Sequence, residues 1–376
     1  MRCALIAAIL PAAAAAQFLV DPAQVPEQLR RIDSTAGEPP IGCSVTPLRP
    51  MLNFGFRFQS GYLVRIPMGQ YAGKGHAWYF ASRITPEGRN AVWLAGTVKL
   101  PNVPPTNLQA EQGGVYQLGE GRYHVAWKMT DDSGRSCRKE WDIDARLGRR
   151  ERTIKVDLEP GSVVDLTGRG AGRGLAIKDD AAPIRLTVLL HAAPILPRRM
   201  TLGPHDRGLL LGALSALLER VPVRSVRLVV FNLDQHKEIY RRDAFTPRSF
   251  RDVVQAMEGL QLFTVNYGVL REPRGHLDLL TELVNDELKS REPADAVVFI
   301  GPIARYTDSP PGDDLRVPPE GSPTRFFYLQ CRPFSGMMPA LLADSISRVV
   351  ARLKGKTILI YRPEDLAKAI AQVERE

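Results

Sequence analysis

The chain has 376 residues, 50 Lys and Arg against 41 Asp and Glu, and a formal charge of +9. Its 44% hydrophobic content excludes wholesale disorder, and 31 Gly and 30 Pro, scattered along the chain, exclude a collagen-like repeat. Four Cys are too few for a disulfide-dense mini-scaffold, and the length suggests about two domains.

Residues 1–16 open with Met1-Arg2 and continue as the short apolar run CALIAAILPAAAAA. Ala14-Ala15-Ala16 fits a small-x-small cleavage pattern, so the run is expected to be a signal peptide cut near Ala16. It is too short to span a membrane, and no later stretch reaches that length. The mature chain is therefore expected in the periplasm or outside the cell. Cys3 leaves with the signal, and Cys43, Cys137 and Cys331 remain. In an oxidising compartment Cys43 and Cys137 form a candidate disulfide, while Cys331, in the apolar run RFFYLQCRP, reads as a buried thiol.

Residues 17–50 carry Pro22, Pro26, Pro39 and Pro40 among polar residues and are expected to form an extended leader, with a short helical piece near Gln24–Arg31. From residue 51 to 145 the period is two. Phe54, Phe56 and Phe58 alternate with Gly55, Arg57 and Gln59, and GYLVRIPM, HAWYFASRIT, AVWLAGTVKL, GVYQLG and YHVAWKMTDD follow between turns. Short strands at this spacing predict an antiparallel β-sandwich-like domain, with Trp78, Trp93, Trp127 and Trp141 as strand aromatics of its core.

Residues 146–182 read as a basic, Gly-rich linker with two strand-like runs, TIKVDL and SVVDL. Gly168, Gly170, Gly172 and Gly174 alternate with Arg and Ala, a spacing that does not make a dinucleotide fingerprint. Arg146 to Lys155 holds five basic residues and one acid, which an anionic envelope polymer or an acidic protein could meet. Elsewhere the excess is thin: net +5 over 17–150 and +3 over 151–376. With no recognised binding module, no nucleic-acid partner is expected.

From residue 183 to 376 buried-type strands alternate with helices. IRLTVLL, VRLVVFNL, ADAVVFIG, RFFYLQC and TILIYR are continuous apolar runs, and HKEIYRR can pair back through Asp234-Gln235. Helices are expected over 206–220, 246–259 (with Thr246 as N-cap), 276–290, 345–353 and 364–374. This alternation predicts a doubly wound α/β domain, whose ligands meet the loops at the carboxyl ends of the strands.

A strand, loop and helix, then a strand pair, a helix, a long loop and the ADAVVFIG strand resemble a von Willebrand factor type A domain. With the preceding half, marked by FGFRFQSGYLVRIPM and GEGRYHVAWKMTDDSGRSCRKEWDI, the chain resembles exported acidobacterial proteins related to the type A family. That resemblance implies a type A/Rossmann-like C-terminal domain and a divalent-ion site built from D-x-S-x-S, a later Thr and a late Asp. On the same register this chain places His191, Ala193 and Ile195 at the first motif, Gly301 at the late Asp, and GVLREPRG, without Thr, in between. Hard cations need oxygen ligands, so the metal site reads as lost and no cofactor is expected. A transition-metal site joining His191 to His205 or His276 lacks any supporting His or Cys spacing.

No G-x-S-x-G, H-E-x-x-H, Walker A or dinucleotide fingerprint is present. Asp278, Glu282, Asp286 and Glu287 recur at helical spacing beside Lys289 and Arg291, as in a solvated charged face. The leading expectation is a non-enzymatic exported protein that contacts a protein partner, envelope-associated, through its type A-like domain. His191, Arg271, Arg274, Tyr306 and Asp308 are the candidate contact-loop residues. Two alternatives stay open: a metal-dependent adhesion module with unrecognised ligands, and an enzyme using His191 as a general base oriented by Asp206 or Asp308.

Overall fold

The structure is a computed structural model that describes residues 17–34, 36–166, 183–196, 199, 201–260, 262, 269, 271–311, 313–319, 322–333 and 343–375. The expected signal peptide and the Gly-rich stretch from 167 to 182 lie outside the described residues. The chain divides into two compact units, Met1–Leu52 with Arg57–Gly172 and Asn53–Phe56 with Arg173–Glu376. Among the described residues there are three sheets and six α-helices, and no helix is long and apolar enough to cross a membrane.

The first unit is antiparallel. Its strands are β1 (Phe18–Val20), β2 (Ser44–Leu52), β3 (Phe58–Pro67), β4 (Ala77–Pro86), β5 (Val92–Lys99), β6 (Gln109–Leu118), β7 (Gly121–Asp131), β8 (Ser136–Ala145) and β9 (Val163–Asp165). They form two sheets, ordered β1-β5-β4-β7-β8 and β2-β3-β6-β9. Alternate residues of both sheets meet in one apolar core, as in a β-sandwich: Tyr62, Val64 and Ile66 from β3, Trp78 and Phe80 from β4, Trp127 and Met129 from β7. Tyr62 and Trp127 lie with ring centroids 5.0 Å apart. Trp78, Trp93 and Trp127 are buried and Trp141 is half-buried, so the tryptophans are core rather than an exposed strip. Cys43 and Cys137 form a disulfide with Cα atoms 6.5 Å apart, inside the usual range.

The expected leader is instead part of this unit. β1 pairs with β5, Val25, Leu29 and Ile32 are buried against Ala81 and Trp93, and Ile41 enters the sandwich core. Helix α1 (Glu27–Arg30) carries Leu29 on its buried side. The segment is fastened by Lys128, fully buried on β7, whose ammonium donates to the carbonyls of Gln28, Arg31 and Ser34 and pairs with Glu38 at 2.8 Å. Proline density therefore signalled irregular backbone, not detachment. In the expected linker, SVVDL supplies β9, paired with β6, whereas TIKVDL forms turns anchored by buried Ile154 and Leu158.

The second unit contains β10 (Ile184–His191), α2 (Pro204–Arg220), β11 (Val223–Asn232), β12 (Lys237–Arg242), α3 (Phe250–Glu258), α4 (Gly275–Lys289), β13 (Ala296–Pro302), β14 (Arg325–Cys331), α5 (Ser345–Arg352), β15 (Lys356–Ile360) and α6 (Pro363–Arg375). Their sheet runs β12-β11-β10-β13-β14-β15, parallel throughout except that β12 is antiparallel to β11. One face, with Leu189, Phe231, Phe299 and Tyr328, packs on Leu280, Leu283 and Val284 of α4 and Ile346, Val349 and Val350 of α5. Helix α2 meets β13 and α6, and α6 meets β14 and β15. Burial on both faces explains the unbroken apolar runs of the central strands. Thr246 stands at the N-cap position with Pro247 first in the helical segment, as expected, but its side chain makes no cap hydrogen bond; its hydroxyl meets that of Ser249, and the 3₁₀ turn Pro247–Ser249 leads into α3.

Candidate functional site

The carboxyl ends of β10, β11 and β13 converge at one end of the second unit's sheet, where loops of parallel α/β sheets collect chemistry. The chain leaving β10 is tied down at once. Ala192 N donates to Phe231 O at 2.8 Å, Asn232 Nδ2 donates to Ala192 O at 2.7 Å, and Ile195 N donates to Asp206 Oδ1 at 3.2 Å. Asp206 also accepts from Gly203 N, so the first turn of α2 holds this loop.

His191 stacks on Phe231 with centroids 5.3 Å apart and is only 2% exposed. A Cβ on Gly301 would lie 2.7 Å from the Cβ of His191, so β13 needs glycine to approach here. Burial pushes the imidazole pKa down, and the pull of Asp234, Asp344 and the Pro302 carbonyl does not overcome it. His191, expected on a contact loop, is thus interior. Neither Asp206 nor Asp308 orients it, because Asp206 caps the loop and Asp308 faces a different histidine.

That histidine is His276, at the start of α4. Its ring stacks on Tyr306 at 3.9 Å and 13°, and its Nε2 lies 3.6 Å from Asp308. The ring centroid of His236 is 6.0 Å away. His236 has a φ of 49° in the turn between β11 and β12, and Gly275 is the residue that makes room for its ring. Asp234, in the same turn, faces Arg305 at 3.5 Å. Both imidazoles are held below the usual histidine range, chiefly by burial, and His276 further by His236. The Tyr306 phenol is raised for the same reason.

Of the expected contact residues, Tyr306 and Asp308 are brought together here. Arg274 immediately precedes α4, where its carbonyl accepts from Leu277 N and Asp278 N, and Arg271 is exposed one turn earlier. Asp344 closes the far side: fully buried, it accepts from Ala304 N at 2.7 Å, Tyr328 Oη at 3.1 Å, Gln330 Nε2 at 3.1 Å and Ser347 N at 2.8 Å. Sequence reading missed His236 and Asp344 and treated His276 only as a metal partner for His191. The one usable signal was the Gly275-His276 pair at the start of a helix; His236, between Gln235 and Lys237, offered none. Glu287 was also misread: it is buried, accepting from Thr187 Oγ1 and Arg227 Nη1, each at 2.9 Å, rather than facing water.

The metal implied by the resemblance does not fit. The three residues at the first ligand motif, His191, Ala193 and Ile195, are 2%, 5% and 3% exposed and offer no oxygen side chain. Among the described residues no group of three or more His, Cys, Asp or Glu is arranged to hold an ion. What the end of the sheet does offer is a mixed-charge rim, Asp234, Arg305 and Asp308, around a neutral aromatic stack. Cys331 is buried and its thiol is pushed up to about 12, so it is chemically quiet.

No family model and no curated protein matches the chain. Among solved structures, a protein from Bordetella pertussis described as ApaA is 16% identical, with a TM-score of 0.21 over 30% of this chain and 99% of its own. The X-ray structure of structural-genomics target SoR45 is 15% identical, with a TM-score of 0.19 over 30% of this chain and 95% of its own. Likeness at that level carries no argument about fold or activity.

Proposed function

We propose that this is an exported, non-enzymatic binding protein whose α/β unit is type A-like and contacts a protein partner without a divalent ion. The strand order 3-2-1-4-5-6, with the third strand antiparallel, supports the type A/Rossmann-like reading. The observation that carries the loss of the ion is the burial of His191, Ala193 and Ile195 as core, with Gly301 pressed against His191. None of the three carries a side-chain oxygen, the donor that a hard cation takes. The partner surface is then the rim of Tyr306, Asp308, Arg305, Asp234 and the neighbouring Arg271 and Arg274. The Cys43–Cys137 disulfide supports the oxidising compartment that export implies.

Calorimetric titration of the full chain with Mg²⁺ and Mn²⁺ tests this reading. No saturable heat at millimolar ion is expected. A one-site isotherm removed by His191→Ala would instead establish the metal-dependent adhesion module.

A further inference from the structure

Among the described residues six strands stand at sheet edges, and five of them carry a device against edge-to-edge pairing. β1 and β9 are three residues long. β2 holds Pro47 and Pro50 and breaks register between Leu48 and Met51. β8 is charged from Arg138 to Asp144, and β12 sets Lys237, Glu238, Arg241 and Arg242 in a run of six residues. Short length, proline, irregular register and charge are the means by which sheet edges are kept from pairing with other chains.

The sixth edge, β15, has only Lys356 at its first position. Thr357 is exposed, Ile358 is half-buried and Leu359 is 39% exposed, an apolar strand edge open to water. Its backbone direction is fixed. Arg332 N donates to Ile360 O at 2.7 Å, so Ile360 turns its backbone groups toward β14. Those groups alternate sides along a strand, so the N–H and C=O of Thr357 and Leu359 point outward, where no described strand meets them.

We infer that β15 pairs antiparallel with β15 of a second copy of this chain, about a two-fold axis through Ile358. The register is self-complementary. Thr357 exchanges both backbone hydrogen bonds with Leu359 of the second copy, and the axis repeats the exchange. Ile358 meets its own image as a non-hydrogen-bonded pair, and Lys356 stands opposite Ile360, so no like charges are opposed within the strands. Beyond the strand, Lys354 approaches Arg362 of the second copy, a charge that Glu364 already offsets at 3.7 Å. The same patch serves both copies, as a closed two-fold contact requires, and the pairing covers Leu359.

The test is sedimentation equilibrium of the full chain across a concentration series, with a cross-link that reads the register. A reversible monomer–dimer equilibrium is expected. Leu359→Lys adds the charge that the other edges use and should weaken association by roughly tenfold or more. Thr357→Pro removes only an outward N–H, so it should also weaken association while the melting temperature of the dilute protein holds. Non-hydrogen-bonded antiparallel pairs have Cα atoms about 4.5 Å apart, inside the ~4.4–6.8 Å span of a disulfide. Ile358→Cys should therefore oxidise to a covalent dimer, whereas Lys237→Cys, on the charged edge β12, should stay monomeric. A monomer at every concentration would overturn the inference and leave the edge to a strand of a different protein. So would a dimer that Leu359→Lys and Thr357→Pro leave intact, or one that Ile358→Cys fails to cross-link.

Discussion

Lys128 is the most consequential single residue in the first unit. A lysine with no exposed surface needs every donor met, and here three carbonyls and Glu38 meet them. Lys128→Ala should cost roughly 3–5 kcal/mol, because it strands a carboxylate and three carbonyl groups. Urea unfolding of the full chain measures this; a loss below about 1 kcal/mol would mean that water replaces the ammonium. Gly301 is the corresponding residue of the second unit. Gly301→Ala forces a methyl into His191 and should cost roughly 1–3 kcal/mol by overpacking, read as a lowered urea midpoint with an unchanged slope. Neither role shows in a string of letters. A lysine in YHVAWKMTDD falls on the alternation expected to face solvent or core by parity alone, and only the fold reveals what sits over it.

At the scale of elements, the turn before β12, the start of α4 and the loop after β13 act together through His236, His276, Tyr306 and Asp308. The folded pKa of each imidazole lies below its unfolded value, so the unfolded chain binds more protons as acid is added. Stability should therefore be complete above the unfolded value near 6.5 and fall as pH drops toward the folded values. His236 faces Glu272, Asp278 and Asp234, and His276 faces Asp308, His236 and Asp278. These carboxylates oppose the fall without abolishing it. His191, also depressed, adds to the same slope. In His276→Phe, which keeps a flat ring against Tyr306, melting temperature should lose less between pH 7 and pH 5 than in the parent. An equal loss in both would assign the slope to other groups.

Across the whole molecule, periodicity was an adequate guide to the strands and helices but not to where the sandwich begins. Period two in the first half and unbroken apolar runs in the second marked the two kinds of sheet, because half-buried and fully buried strands impose different patterns. The segment from 17 to 43 escaped, since its few apolar anchors, Val25, Leu29, Ile32 and Ile41, have no period. The residues at the carboxyl end of the sheet were legible only where a loop followed a strong strand, which is how Tyr306 and Asp308 were reached. His236 and Asp344 act through neighbours far away in sequence and left no local signal. The disulfide is the covalent counterpart of Lys128, joining the entry to β2 with the start of β8 across 94 positions. The double variant Cys43→Ser, Cys137→Ser should lose roughly 2–4 kcal/mol, seen as a lower melting temperature that reducing agent no longer changes.

The measurement that bears most directly on the proposed function is the melting temperature of the full chain, taken in EDTA and then in millimolar Mg²⁺, Mn²⁺, Ca²⁺ and Zn²⁺. An ion bound only by the folded state must raise it by mass action. The same melting temperature is expected in every condition, because the positions that would ligate the ion carry no oxygen side chain. A rise of several degrees with one ion, reversed by EDTA and absent in His191→Ala, would contradict it.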